Sequence, residues 1–335
     1  MEANITLARV AREAGVSAST VSRILTGSAN VSPEKREHVQ RVLAKLNYRP
    51  NVLARGLASG RTMSVGVLTQ DISSPFYGDM VRGIEQGLGG SGYQTVFMSG
   101  HWHAKAEMEA IESLLARRVD ALAVLGGSVP DEQLRTVAQS VPLSLLGRTV
   151  AGLEGQCLRL DQLEGARAIT HHLIEMGHRR IAHITGDMSH PDAQDRLAGY
   201  RAALDEAQLA FDPELVQQGD FLEASGYLAA TRLFEGRSVF SAVFAANDQM
   251  AYGARLALHR RGLRVPDDVS LVGYDDLPGS TYTSPPLTTV RQPTFQMGQA
   301  AAQWILHQLA GQPYLLPPLT VQLVIRESTA RRRST

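Results

Sequence analysis

Residues 7–25 read LARVAREAGVSASTVSRIL, and two short helical patterns meet inside them. Thr6 reads as an N-cap, Leu7, Val10, Ala11 and Ala14 share one face, and Gly15 is the stop. Ser17 caps a second helix in which Val21, Ile24 and Leu25 fall at core spacing. The link Gly15-Val16-Ser17 is short enough to hold the pair at a steep angle, as in a helix-turn-helix whose second helix enters the DNA major groove. Ser32-Pro33-Glu34 opens a third helix, with serine at N-cap and proline at N1. Val39, Val42, Leu43 and Leu46 form its apolar stripe. The second helix leaves Ala18, Ser19, Ser22 and Arg23 outside. Arg23 can donate two parallel hydrogen bonds to guanine O6 and N7. Thr6, Ser22 and Ser32 suit phosphates. Spacing alone leaves a generic three-helix bundle with a solvent-exposed arginine equally open.

The chain has 335 residues with 33 basic and 33 acidic side chains, so its formal net charge is zero. That balance hides a split. Residues 1–62 carry ten basic and four acidic side chains, a net +6, which leaves −6 on the remainder. A small basic module on a larger acidic body suggests a polyanion partner for the first part. The length allows two or three domains, and 44% hydrophobic with 20% charged residues fits an ordinary globular protein. One cysteine, Cys157, excludes a disulfide framework and a multi-cysteine zinc site. No run of 18 apolar residues occurs and the N-terminus lacks a secretory pattern. The expected location is the cytoplasm, with no membrane contact.

Read together, Ile5-Thr6-Leu7, VAREAGVSASTVSRIL, NVSPEKREHV and LNYRPNVLARGLASGRT resemble the headpiece and hinge of the lactose/galactose repressor (LacI/GalR) family. The likeness is nearly continuous over residues 5–62, with its motifs in order and at family spacing. It implies base contacts from Ala18, Ser19 and Arg23. Ala18 and Ser19 are small, so most direct readout falls to Arg23. Thr6, Ser22, Asn30, Ser32 and Asn51 are the expected contacts to the DNA backbone. The hinge would form a short helix only on DNA and enter the minor groove. Leu57 matches the wedge that opens the central base step, and Ala54 matches its small neighbour. Gly56 departs from a good helix former, at roughly 1 kcal/mol, so the hinge is expected to be loose off DNA.

From residue 63 apolar strands alternate with amphipathic helices. Strands are expected at 64–69, 94–98, 121–126 and 143–147, then at 181–186, 215–219, 242–246 and 269–274. Helices are expected at 77–91, 105–118, 164–176, 194–208, 223–235, 249–261 and 295–310. Two such series mean two lobes of doubly wound parallel sheet, with ligands beyond the carboxyl ends of the strands. The fold class is therefore a small all-α headpiece plus an α/β body similar to periplasmic binding proteins. The resemblance extends through this body to about residue 328. It implies a headpiece at 1–49, a hinge at 50–62, an effector and dimerisation domain at 63–328, and a basic tail at 329–335. The first lobe would comprise about 63–161 and 292–321, the second about 162–291 and 322–328.

By the same resemblance, Arg196 in DRLAGY, Asn247 in AAND and Asp275 in GYDD face the ligand, and Phe221 stacks on its ring. Phe76, Tyr77 and Asp71 are further wall candidates. Core packing remains open for Phe76 and Phe221, and helix capping for Asp275-Asp276. A guanidinium and a carboxylate each engage paired sugar hydroxyls, so the expected effector is a saccharide. A purine or nucleoside would also suit the aromatic residues.

The implied protein is a homodimeric, ligand-controlled repressor on near-palindromic double-stranded operator DNA. Dimerisation is expected through helices 77–91 and 105–118. The tail 329–335 carries no leucine heptads, so a tail-mediated tetramer is not expected. Two other classes have less support. A transport receptor would need an export signal and no basic headpiece. An enzyme would need a catalytic constellation. His101-Trp102-His103 and His171-His172 lack a third ligand, no GxGxxG or GxxxxGK[ST] occurs, and Cys157 sits in an apolar stretch. No cofactor and no metal are expected.

Overall fold

The computed structural model describes residues 6–25, 31–48, 60–236 and 239–332. It divides into two units, with the boundary between Ser64 and Val65. The hinge calls Asn51, Ala54 and Leu57, and the backbone-contact call Asn30, lie outside the described residues.

The first unit contains α1 (Leu7–Glu13), α2 (Ala18–Leu25) and α3 (Pro33–Lys45). Thr6 caps α1 by accepting the Arg9 N–H at 3.3 Å. Gly15 ends the turn at φ +61°, a conformation that costs an L side chain energy and glycine nothing. Ser17 then caps α2 by accepting the Thr20 N–H at 3.2 Å. Val10, Ala11, Ala14, Val21, Ile24, Val39 and Val42 form one buried cluster, with Leu7, Val16, Leu25, Leu43 and Leu46 packed on it. Ser32 stands at the N-cap of α3, but its side chain makes no cap hydrogen bond.

The second unit begins with β1 (Ser64–Thr69), α4 (Pro75–Gly87), β2 (Gln94–Ser99), α5 (Ala104–Ala116), β3 (Ala121–Leu125), α6 (Asp131–Ala138), β4 (Leu143–Leu146) and β5 (Cys157–Leu158). Among the described residues these strands form one sheet in the order β2-β1-β3-β4-β5. There follow α7 (Gln162–Glu175), β6 (Ile181–Thr185), α8 (Pro191–Glu206), β7 (Val216–Gln218), α9 (Glu223–Glu235), β8 (Ala242–Ala245), α10 (Asp248–Arg260) and β9 (Ser270–Val272). Their strands form a second sheet, β7-β6-β8-β9. The pairs β1–β3, β3–β4, β4–β5, β6–β7, β6–β8 and β8–β9 are parallel, and β3, β4, β6 and β8 are buried along their whole length. That is why β3 and β8 read as unbroken apolar runs, while β4 is interrupted only by Ser144 and β6 by His183 and Thr185.

The chain ends with α11 (Pro278–Tyr282), β10 (Thr289–Arg291), α12 (Thr294–Leu309) and β11 (Gln322–Val324). β10 pairs antiparallel with β11, and Asp275 bridges Arg291. The chain leaves the first lobe between β5 and α7. It returns after β10, because α12 packs on α4, and leaves again before β11. Glycines permit that helix pairing. A Cβ at Gly83 would lie 2.1 Å from Phe295 O, and one at Gly298 would lie 2.0 Å from Met80 O.

Several expected boundaries need correction. Helices expected to begin at 77 and 194 begin at Pro75 and Pro191, because each proline occupies the first turn behind Ser74 or His190. The strand expected at 215–219 is Val216–Gln218, because Asp212 caps a short 3-10 turn through Leu215. The strand expected at 269–274 ends at Val272. Gly273 and Asp275 donate their N–H groups to Thr288 O and Val290 O instead. The short elements α6, α11, β10 and β11 carried too little periodicity to be read.

Candidate functional site

On α2, Ala18, Ser19, Ser22 and Arg23 are all exposed, while Val21 and Ile24 are buried on the other face. Arg23 Nε donates to Ser19 O at 3.3 Å, which lays the side chain along the helix between two of the expected base-reading positions.

In the second unit the candidate residues follow the carboxyl ends of strands in both lobes. Arg196 on α8 is buried and held on three sides. Its Nε and Nη2 donate to Gln162 Oε1 at 3.1 and 3.0 Å, and its Nη1 donates to Ala246 O. Its guanidinium lies 3.9 Å over the Tyr274 ring. Asp275 follows β9 in a left-handed conformation, φ +108°. Its Oδ1 accepts from Gln292 Nε2 at 2.7 Å, and Gln292 Oε1 accepts from Gln162 Nε2 at 2.9 Å.

Arg196, Gln162, Gln292 and Asp275 therefore make a ring. Its last gap, Arg196 Nη2 to Asp275 Oδ1, is 3.7 Å. That distance matches charges without making a hydrogen bond. A ligand hydroxyl can bridge such a pair, donating to the carboxylate and accepting from the guanidinium. Burial pushes the Asp275 carboxyl up to about 6, against the pull of Arg196 and the Gln292 hydrogen bond. Gln162 and Gln292 flank two of the chain crossings. The sequence reading missed both, because a glutamine beside a crossing looks like any polar loop residue.

Two acids hold the Asp275 loop in place. Asp248 accepts from Leu277 N at 2.8 Å, Ser280 Oγ at 2.6 Å and Thr289 Oγ1 at 2.6 Å. Asp276 accepts from Arg291 and Arg326, each at 2.6 Å. Asn247 is engaged locally: Oδ1 caps α10 by accepting from Met250 N, and Nδ2 donates to Phe221 O, both at 2.9 Å. Asn247 therefore positions Phe221. Asp71 likewise closes its own turn, accepting from the Ser73 N–H and hydroxyl at 2.8 and 2.7 Å. Those bonds hold its carboxyl below the usual range.

Aromatic rings line the space between the lobes. Tyr77 is buried, and burial raises its phenol well above the ordinary value, with Asp192 and Asp275 adding to the effect. Phe76 meets Tyr77 edge-on at 5.2 Å. Phe221, in a left-handed conformation, lies against Gly186. Phe76, Asp275 and Gln292 also border a groove of about 520 Å³ that reaches Arg82, Arg291 and Arg326.

The remaining candidates resolve simply. His171 pairs with Glu206 and His172 with Thr329. Among the described residues no group of three His, Cys, Asp or Glu could hold a metal. Burial raises the Cys157 thiol, away from thiolate chemistry. Among the described residues, no helix is long and apolar enough to cross a membrane.

Residues 6–51 match the family described as bacterial regulatory proteins, lacI family, and residues 170–329 match the periplasmic binding protein-like domain. The HTH-type transcriptional regulator GalR of Escherichia coli K12 is 39% identical over 316 residues, 94% of this chain and 92% of that protein. The lac repressor dimer bound to operator and the anti-inducer ONPF is 32% identical with a TM-score of 0.87, over 98% of this chain and 100% of that one. The complex of the regulator CelR with cellobiose is 35% identical with a TM-score of 0.72, over 97% and 99%.

Proposed function

The chain belongs to the LacI family of bacterial regulatory proteins, DNA-binding transcriptional regulators, and from that premise we propose a homodimeric repressor controlled by a sugar bound between its lobes. One observation carries the effector reading. Arg196 and Asp275 stand buried and 3.7 Å apart, joined through glutamines that flank two of the crossings between lobes. A hydroxyl bridging that gap acts on Gln162 and Gln292, so the binding contact and the lobe angle are mechanically linked. Only a difference in sugar affinity between two lobe arrangements can drive a response, and its size sets the response.

On the DNA side, each headpiece occupies one half-site, since a two-fold dimer mirrors a two-fold operator. Arg23 reads a base, with Ala18 and Ser19 beside it. Thr6, Ser22, Asn30, Ser32 and Asn51 hold the backbone, and Ala54 and Leu57 enter the minor groove. Replacing Arg23 by Ala is expected to cost about 1–3 kcal/mol and to relax preference at one base position. Anisotropy with operator and scrambled duplexes reads this, and an equal loss on both would remove the base-reading role. The proposed activity is binding without turnover, and product formed from a bound sugar would overturn that part.

A thermal-shift screen of sugars, sugar acids, sugar phosphates and nucleobases tests the effector class. A ligand at about 100 times its Kd adds about 2.7 kcal/mol of stability. The planar rings at residues 77, 102, 190 and 221 would also suit a nucleobase. A nucleobase hit with no sugar hit would replace the saccharide reading.

A further inference from the structure

Trp102 and His190 come from opposite lobes, and their rings stack at 4.0 Å with an interplanar angle of 25°. This is the closest ring pairing among the described residues. His190 also stacks on Phe221, at 5.6 Å and 16°. The result is a ladder, Trp102–His190–Phe221, across the space between the lobes.

Each end of the ladder is fixed from behind. His101 and Trp102 are consecutive residues with φ of +53° and +58°. A non-glycine residue rarely adopts this conformation unless its surroundings impose it. Here Trp102 N–H donates to Gln70 Oε1 at 2.9 Å, His101 N–H donates to Gln70 O at 3.1 Å, and Gln70 Nε2 donates to Leu125 O at 3.3 Å. The outer edge of the indole lies over Gly126, where a Cβ would be 3.0 Å from Cη2. On the other lobe, Asn247 holds the Phe221 backbone.

The middle ring is held differently. His190 is the N-cap residue of α8, but its side chain makes no cap hydrogen bond. Among the described residues its imidazole is bound only by stacking. Burial lowers its pKa, opposed by Asp187 and Asp192, so the ring is neutral near pH 7. A neutral, flat, polar ring between two fixed aromatic faces has the shape of a ligand.

We propose that His190 occupies the aromatic seat of the effector site, and that a pyranose binds by displacing it from Trp102, whose face then carries the C–H side of the sugar. This rests on the sugar-effector reading and adds to it an internal competitor. The competitor gives the two residues opposite mutational signs. Removing His190 vacates the seat and tightens sugar binding. Removing Trp102 takes away the seat and weakens it. A histidine that merely contacted the sugar would weaken binding when removed.

Trp304→Phe leaves Trp102 as the sole tryptophan, since the chain has two. In the sugar-free full-length protein, His190→Ala is expected to raise acrylamide quenching of Trp102 at least twofold and to shift its emission to the red. Unchanged quenching would overturn the stack, whatever the ligand. Titration with D-galactose and with cellobiose is expected to bind at least threefold more tightly to His190→Ala, and at least tenfold more weakly to Trp102→Ala, with Trp102→Phe intermediate. A loss of affinity in both alanine variants would overturn the competitor role. Failure of every sugar on the wild type would count against the effector reading, and the quenching result would still decide the stack.

Discussion

Asp275→Ala is expected to abolish the response to effector while leaving operator binding by the effector-free protein intact. The carboxylate is one half of a buried charge pair whose other half, Arg196, remains in place. Truncating one partner of such a pair in a binding site costs about 2–5 kcal/mol, or roughly 30- to several-thousand-fold in affinity. Most of that loss falls on the sugar-bound state. Without ligand, Arg196 still donates to Gln162 and Ala246. Operator anisotropy across a sugar titration reads the outcome, and retained release would show that the sugar binds elsewhere.

The pH dependence follows from the same residue. Its folded pKa, about 6, lies above the ordinary 3.8 of an aspartate, and burial is the main cause. The native protein therefore binds the extra proton between roughly pH 4 and 6. This residue favours the fold below that window, and the contribution is lost as pH rises through 6. Sugar affinity runs the other way, because the ionised carboxylate is the better acceptor of hydroxyl hydrogen bonds. Below pH 6 affinity is expected to fall by up to about tenfold per pH unit, and Asp275→Asn is expected to flatten the curve. Calorimetry at pH 5, 6 and 7 checks both. A slope that persists in the Asn variant would assign it to another group.

The headpiece was legible because its signals are local. Thr6, Gly15, Ser17 and Pro33 each act within one helical turn, and the cap bonds of Thr6 and Ser17 form as their positions require. The two parallel sheets were legible for a related reason. Strands buried on both faces are mostly apolar, as 121–125 and 242–245 are throughout. The site was legible only in part. Arg196 and Asp275 stood out through the family resemblance of DRLAGY and GYDD. Asp248, one residue after Asn247 in AAND, did not, although it anchors the Asp275 loop. Trp102 was read only as a neighbour of two histidines, and His190 was not singled out. Their meeting joins positions 88 residues apart across two lobes, and no local periodicity encodes such a contact.

Gly253→Val is expected to cost about 3 kcal/mol or more of stability, whereas Gly78→Ala is expected to add up to about 1 kcal/mol. Both glycines sit inside helices, where intrinsic propensity alone favours replacing them, by about 0.5–1 kcal/mol for alanine. Their neighbours decide otherwise for Gly253. A Cβ there would lie 1.9 Å from Glu223 O and 2.7 Å from Tyr227 N, both backbone atoms of α9. Gly226 on α9 answers it, with a Cβ 2.2 Å from Met250 O. Overpacking costs about 1–3 kcal/mol where side chains can give way. Here backbone meets backbone, so α10 itself must shift. Its first turn carries Asn247 and Asp248, so the shift would also disturb the loop that aims Asp275. Around Gly78 nothing lies within 4 Å. Urea midpoints for the two variants should move in opposite directions. A Gly253→Val midpoint equal to wild type would mean that α9 and α10 do not cross as closely as these contacts require.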